Sequence, residues 1–397
     1  MRILRVISTM NPATGGPCQG IRNLVPELNQ LGIENEIVCL DEPDSVYLKE
    51  DKFVIHAIGK SKGPWQYNGS LLVWLKKNIS QYDAVVVHGL WLYHGYAVRK
   101  VLGEQKNPIP YFVMPHGMLD PYFQKNESRK LKAIRNNIYW KFIESKVVNN
   151  ASGILFTCEE EMNLARNTFT PYHPKQEINI GYGIPKPFQG VAEKSTLVSH
   201  SKPYFLFLSR INPKKGIDIL VEAYLKLLGN SSDHLVPELV IAGPGLEDDF
   251  GKQVFNRVQE NNLLKDKVKF IGMLTGLDKW NAFSGCEAFI LPSHQENFGI
   301  AVVEALACGK PVLIANKVNI WREIEKSNAG LVREDSVEGT LQLLQTWVGF
   351  SEFQKADMSK DALSCYNKYF TVESAAKRTY ESMLNLIGVD NNMIIND

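Results

Sequence analysis

Residues 289–316 read FILPSHQENFGIAVVEALACGKPVLIAN. Phe289-Ile290-Leu291 is a short apolar run of the kind that forms a buried parallel strand, and Pro292-Ser293 ends it. From Asn297 to Cys308 apolar residues recur at helical spacing, and Gly309 followed by Pro311 stops the helix. Pro311 to Ile314 opens the next strand. The stretch is therefore a strand–loop–helix–strand unit with two carboxylates. Glu296 is expected where the helix begins, and Glu304 about two turns inside it, among Val302, Val303, Ala305, Leu306 and Ala307.

A carboxylate in such apolar company is costly unless something donates hydrogen bonds to it. Glu304 either pairs with a lysine or a nearby backbone group, or accepts two bonds from a diol such as a ribose. Eight helical residues span about 12 Å. That exceeds the roughly 5 Å between the two carboxylates of a retaining glycoside hydrolase, and suits a long ligand held at both ends. Between the two acids, the amides of Phe298, Gly299 and Ile300 are expected as unpaired helix N-terminal donors, suited to phosphate. Sugar, pyrophosphate and ribose in a row match carboxylate, helix terminus and carboxylate.

Working outward, the 397 residues suit two domains. A formal charge of +1 argues against nucleic-acid binding by bulk charge. Cysteines 18, 39, 158, 286, 308 and 365 are scattered without a C-x-x-C, which suggests reduced thiols in a cytoplasmic protein rather than a disulfide framework or a zinc site. No apolar run reaches the ~20 residues of a membrane span. MRILRVIST has no signal-peptide pattern.

In the first half, strands are expected at Ile3 to Ser8, Asn35 to Leu40, Ala84 to Val87, Tyr111 to Met114 and Ile154 to Thr157, as in a doubly wound α/β domain. Gly15-Gly16, just before a helix, either admits a phosphate to backbone N–H groups or makes a tight turn. Asp41 follows strand two, where a dinucleotide fold keeps its ribose-binding acid. Two histidines sit at carboxyl ends of strands, where ligand crevices lie: His88, and His116 in Pro115-His116-Gly117. Residues 124–148 read as a helical stretch with seven Lys and Arg against two Glu, a net +5, beside an apolar stripe of Leu131, Ile134, Ile138 and Phe142. That stripe either packs into the domain, leaving the charges as a solvated face, or lies on an anionic membrane surface.

Residues 181–202, rich in Pro, Gly and Ser, read as the region of an interdomain linker. The boundaries follow: an N-terminal domain at 1–185, the linker at 186–202, a C-terminal domain at 203–370 and a C-terminal helix at 371–389 that crosses back to the first domain. Strands of the second domain are expected at Tyr204 to Leu208, Leu239 to Ala242, Val268 to Ile271, Ala288 to Leu291 and Pro311 to Ile314. Arg210 follows the first of these, and Lys214-Lys215-Gly216 precedes a helix. Arginine clamps phosphate oxygens in pairs and lysine adds a point charge.

Together these residues resemble those of the retaining glycosyltransferases of the GT-B fold, glycosyltransferase family 4. The resemblance is carried by Gly15-Gly16, Pro115-His116-Gly117, Ser209-Arg210 with Lys214-Lys215-Gly216, Gly243-Pro244-Gly245, and Pro292-Ser293 with Glu296, Phe298-Gly299, Glu304-Ala305, Ala307, Gly309 and Pro311-Val312. It covers about residues 1–385. It implies two Rossmann-like doubly wound domains facing each other across a cleft that holds a UDP- or GDP-sugar. Arg210 and Lys215 would neutralise the diphosphate, and Glu296 would bind a sugar hydroxyl. His116 would reach the donor sugar, and Glu304 the ribose. Gly15, Gly16, Gly243, Asn297, Phe298, Gly299 and Ile300 would line the donor. The implied chemistry is a front-face displacement in which the leaving phosphate helps deprotonate the acceptor hydroxyl. It needs neither metal nor cofactor. The acceptor would be a saccharide or lipid-linked saccharide, in surface polysaccharide synthesis at the inner face of the cytoplasmic membrane. His88 stands where the family's pattern varies. Tyr182-Gly183-Ile184-Pro185 replaces a more usual Asn-Gly turn.

Three other readings remain open on the sequence, one of them an epimerase or phosphorylase of sugars on the same fold. An NAD-dependent oxidoreductase would use the opening βαβ unit and Asp41, but gives Arg210, Lys215, Glu296 and Glu304 no task. A non-catalytic two-domain sugar-binding protein would hold the same ligand without turning it over.

Overall fold

Short apolar runs separated by helical repeats build two all-parallel sheets. A computed structural model describes residues 1–125, 129–187, 202–230 and 236–387. The strands of the first sheet are β1 (Arg2–Val6), β2 (Glu34–Cys39), β3 (Ile55–Ala57), β4 (Ala84–His88), β5 (Tyr111–Met114), β6 (Gly153–Phe156) and β7 (Glu177–Asn179). They lie in the order β3-β2-β1-β4-β5-β6-β7. The second sheet contains β8 (Tyr204–Leu208), β9 (Glu238–Ala242), β10 (Val268–Gly272), β11 (Ala288–Leu291), β12 (Val312–Ala315) and β13 (Gly330–Arg333), in the order β10-β9-β8-β11-β12-β13. Both are α/β sheets of Rossmann-like winding. In each, the order reverses between the first strand and the fourth: β1 pairs with β4 (Val6 with Val87), and β8 with β11 (Phe205 with Ala288). At such a switch point, loops leaving neighbouring strands diverge and open a crevice at the carboxyl ends.

The chain forms two compact units. One comprises Met1–Gly183 with the segment that begins at Val372, and the other Ile184–Thr371. The helix Val372–Ile387 packs on the helix Gly16–Gln30 within the first unit. The stretch expected to be the linker lies mostly outside the described residues.

Two expectations are corrected. The helix after β11 runs Ile300–Ala307, and does not begin at Asn297. Gly299 stands at φ +76°, a left-handed conformation that favours glycine, and it caps the helix there. Glu296 therefore lies in the loop, where its N–H donates to the Lys317 carbonyl and its own carbonyl accepts from Asn319 N–H. The 12 Å spacing inferred from eight helical residues does not apply.

Within 124–148 the described residues from Lys130 onward are helical throughout, as expected, with a π-helical turn in the middle. The described residues fall into Tyr122–Lys125, Lys130–Tyr139, a π-helical turn Trp140–Glu144 and Ser145–Asn150. Ala133, Asn136 and Trp140 face inward. Leu131 is 84% exposed and Phe142 64%, with Ile134 and Ile138 also exposed, so the stripe does not pack into the domain. Three strands escaped the sequence reading altogether: β3, β7 and β13.

Candidate active site

In the second unit, the loop after β8 carries Arg210, which is exposed, and a single 3-10 turn, Pro213–Lys215. Gly216 ends that turn at φ +66°, and a Cβ there would lie 2.1 Å from the Pro292 carbonyl oxygen. Only glycine lets this loop press against the end of β11. The contact is stapled on both sides: Ser293 Oγ and His294 N–H each donate to the Lys214 carbonyl, both at 2.9 Å. The result sets Lys215 Nζ on Glu296 Oε2, with both side chains largely buried.

Next to this pair the helix Ile300–Ala307 begins. The N–H groups of Gly299 and Ile300 donate to nothing within the described residues. Deeper in, Glu304 is 8% exposed, and burial raises its pKa against the opposing pull of Lys279. Lys279, from the helix Gly276–Gly285, donates to Glu304 Oε1 at 2.6 Å. Of the two readings of Glu304, the lysine pair is therefore realised. An ionised carboxylate accepts more than one bond, so a diol remains within its capacity.

Gly243 N–H is committed to the Gly272 carbonyl at 2.7 Å, and a Cβ there would meet the Ser209 carbonyl at 1.9 Å. The glycine allows the loop after β9 to lie against the loop that holds Arg210.

In the first unit the same strand positions are used. Gly15 takes φ +100°, ψ −145°, and caps the helix Gly16–Gln30. Tyr182 OH donates to the Gly16 carbonyl at 2.5 Å, and its ring occupies the space where a Cβ on Gly20 would lie. The unusual Tyr182 turn thus anchors the glycine loop. Asp41 accepts from Thr9 Oγ1, Met10 N–H and Tyr47 OH, so it is spent on the loop after β1.

At the ends of β4 and β5, His88 Nδ1 lies 3.0 Å from His116 Nε2, and His88 Nε2 lies 3.2 Å from Arg5 Nη1. His94 Nε2 donates to the His88 carbonyl at 2.9 Å. Burial, then the Arg5 cation, lowers the His116 pKa to about 3. Burial, with His116, Arg5 and His94 adding to it, holds His88 well below its ordinary value. Both rings are neutral near pH 7.

His116 stands at φ +52°, uncommon for a side-chain-bearing residue. Glu161 holds that turn. One carboxylate oxygen accepts from Gly117 N–H at 2.5 Å, and the other from Thr157 N–H at 2.8 Å and Thr157 Oγ1 at 2.5 Å.

Residues 191–347 match the family Glycosyl transferases group 1, and residues 14–175 match Glycosyltransferase Family 4. The first match takes in β8 to β13, and the second β2 to β6. The chain belongs to glycosyltransferase family 4.

Its fold is that of the GT-B members of the family. The solved Anabaena HepE in complex with UDP and glucose superposes with a TM-score of 0.72 at 17% identity, over 97% of this chain and 100% of that one. An uncharacterized glycosyltransferase of Methanocaldococcus jannaschii is 25% identical over 254 residues, 62% of this chain and 60% of that protein. The O-antigen chain mannosyltransferase B of Escherichia coli is 28% identical over 131 residues, 33% of this chain and 32% of that protein. The chain thus spans 60% of the first relative's length and 32% of the second's.

Within this family 4 chain, Lys215, Glu296, Gly299 and Ile300 come together at one switch point, with Glu304 further along the same helix. His88 and His116 meet at the other. Sequence reasoning missed Arg5, Glu161, Lys279 and the Lys317–Asn319 segment. A lone arginine inside β1 was the one legible hint, because Arg5 interrupts an apolar run.

Removing the Glu161 strap should be costly, since three buried donors lose their acceptor. Glu161→Ala is expected to lower unfolding free energy by about 2–3 kcal/mol in a urea titration. A change within roughly 0.5 kcal/mol, as at an ordinary surface site, would show that the His116 turn stands without it.

Proposed function

We propose that this chain is a retaining hexosyltransferase that moves a sugar from a nucleoside-diphosphate sugar to a hydroxyl of a saccharide or lipid-linked saccharide. What carries the reading is the arrangement in the second unit, where Lys215 and the N-terminal amides of Gly299 and Ile300 lie at the β8/β11 switch point. Arg210 follows β8 on the same side. As the bond between the anomeric carbon and phosphate oxygen breaks, negative charge grows on the diphosphate. Fixed cations and N–H donors aimed there lower the barrier, and in many enzymes such preorganised charges and dipoles supply most of the rate enhancement. Arg210 and Lys215 fill the role a divalent ion has elsewhere, so turnover needs no metal. Glu304 takes the ribose diol and Glu296 a hydroxyl of the sugar. The leaving phosphate assists deprotonation of the acceptor hydroxyl, on the face from which it departs.

The relatives support the donor and product classes without deciding them. HepE holds UDP and glucose on the same fold, and the E. coli relative is named for an O-antigen chain. UDP- and GDP-sugars are the donors to try first, with surface polysaccharide synthesis as the setting.

No described helix is long and apolar enough to cross a membrane. The exposed stripe Leu131, Ile134, Ile138 and Phe142 is interleaved with exposed Lys132, Arg135 and Lys141. An anionic bilayer surface complements both features, and a lipid-linked acceptor would be met there.

Arg210→Ala and Lys215→Ala should each cut turnover by about 10²-fold or more while leaving the fold intact, and excess EDTA should leave wild-type turnover unchanged. Near wild-type turnover of both variants at saturating donor would remove the phosphate clamp.

Calorimetry with free UDP and GDP separates the two acids. Glu304→Gln should weaken nucleotide binding, whereas Glu296→Gln should act on sugar recognition and rate. Equal loss of nucleotide affinity in both would contradict this division.

Sedimentation with vesicles tests the surface. Each basic residue near anionic lipid contributes about 1 kcal/mol. Binding to anionic but not neutral vesicles is expected, weakened by salt and by Lys130→Glu with Lys132→Glu. No binding at low salt would point to a soluble acceptor.

A further inference from the structure

Arg5 is the most unusual charged residue in the first unit. It sits in the middle of β1, is 1% exposed, and pairs with no carboxylate among the described residues. Burial lowers its pKa to about 10, so it remains a cation at neutral pH. A buried cation without a counter-charge is expensive to keep. Its polar contacts are Nε to Asn35 Oδ1 at 2.8 Å and Nη1 to His88 Nε2 at 3.2 Å, while Nη2 is buried with no partner. Asn35 is itself braced, donating from Nδ2 to the Ile33 carbonyl at 2.8 Å. The guanidinium is thus held from behind and directed at one histidine.

A guanidinium can only donate hydrogen bonds. His88 Nε2 must therefore accept, and the one proton of neutral His88 lies on Nδ1. That proton points at His116 Nε2, 3.0 Å away, which must accept in turn. The proton of His116 is then on Nδ1. Among the described residues nothing else hydrogen-bonds to the His116 ring, which is only partly buried. We propose that Arg5 and His88 are positioning residues that set the tautomer of His116, so that His116 offers its Nδ1–H as a permanent hydrogen-bond donor.

The chain Arg5, His88, His116 runs donor to acceptor in one direction, and each link polarises the next. A donor at its end suits an oxygen that carries or gains negative charge, such as a sugar hydroxyl or a diphosphate oxygen. It does not suit a general base, because the Nδ1 lone pair is absent and Nε2 is engaged. His88 owes its place at the end of β4 to this relay, and not to contact with substrate. This inference deepens the nucleotide-sugar reading and rests on it for the identity of the ligand, but the tautomer itself is a property of the free protein.

Long-range nitrogen–proton NMR on the full chain with ¹⁵N-labelled histidine, without ligand, reads the tautomers directly. His88 and His116 are both expected as Nδ1–H forms, and Arg5→Met should remove that preference at both rings. A wild-type His116 carrying its proton on Nε2, or tautomers unmoved by Arg5→Met, would overturn the proposal. Should Arg5→Met not fold, the pair His88→Gln and His88→Leu serves instead. Glutamine keeps an acceptor for Arg5 and a donor for His116, and leucine keeps neither. His88→Leu should lose the Nδ1–H signature of His116 and reduce kcat about 10²-fold with little change in affinity for free nucleotide. His88→Gln should restore the signature and at least a tenth of the lost kcat. Equal behaviour of the two variants would sink the relay. If wild-type protein binds no UDP or GDP, the donor reading falls while the tautomer result stands.

Discussion

The Lys215 ammonium meets the Glu296 carboxylate because Gly216 has no side chain. A methyl group at that position would overlap the Pro292 carbonyl, and the loop after β8 could not reach the end of β11. Much of the second unit's site depends on that approach. It brings the cation loop beside the capped start of the helix Ile300–Ala307, so that charge and N–H donors share one crevice. The same device recurs at Gly243, whose Cβ would overlap the Ser209 carbonyl. Carbonyl oxygens pressed against glycine Cα atoms are how this fold brings loops from adjacent strands together without strain.

The two units use one topology for different electrostatics. In the second, the crevice at the switch point contains paired charges: Lys215 with Glu296, and Lys279 with Glu304 behind them. Such pairs tolerate partial burial because each charge has a partner. In the first unit, the corresponding position holds neutral imidazoles backed by a solitary buried arginine. Burial, with the arginine's charge adding to it, keeps both rings uncharged, which preserves a directed hydrogen bond where a charged pair would repel. The first unit is organised to orient, and the second to neutralise.

Much of the fold was legible from the sequence because central parallel strands are buried on both faces and must read as continuous apolar runs. Tyr204–Leu208, Ala288–Leu291 and Tyr111–Met114 were found at their observed bounds for that reason. The strands β3, β7 and β13 were missed. All of them lie at sheet edges, β3 and β7 have three residues each, and Glu177–Asn179 has a single apolar side chain. Apolar spacing starts the helix after β11 three residues early, since Phe298 continues the pattern, and only the left-handed backbone of Gly299 breaks it.

Sequence alone determined the winding of both sheets, the placing of Arg210, Lys215, Glu296, Glu304 and His116 at or beyond strand ends, and the family. Those features follow from local patterns: apolar period, glycine turns, and polar residues just past a strand. Tertiary structure alone decided which groups those residues meet. Lys279 reaches Glu304 from 25 positions away, Glu161 reaches Gly117 from 44, and Arg5 reaches His88 from 83. It also turned Leu131 and Phe142 outward, although their helical spacing equally suited a buried face. Periodicity specifies that a side of a helix is apolar. What covers that side, and which donor satisfies a buried acceptor, depends on elements far apart in the chain, and so is settled only when they pack.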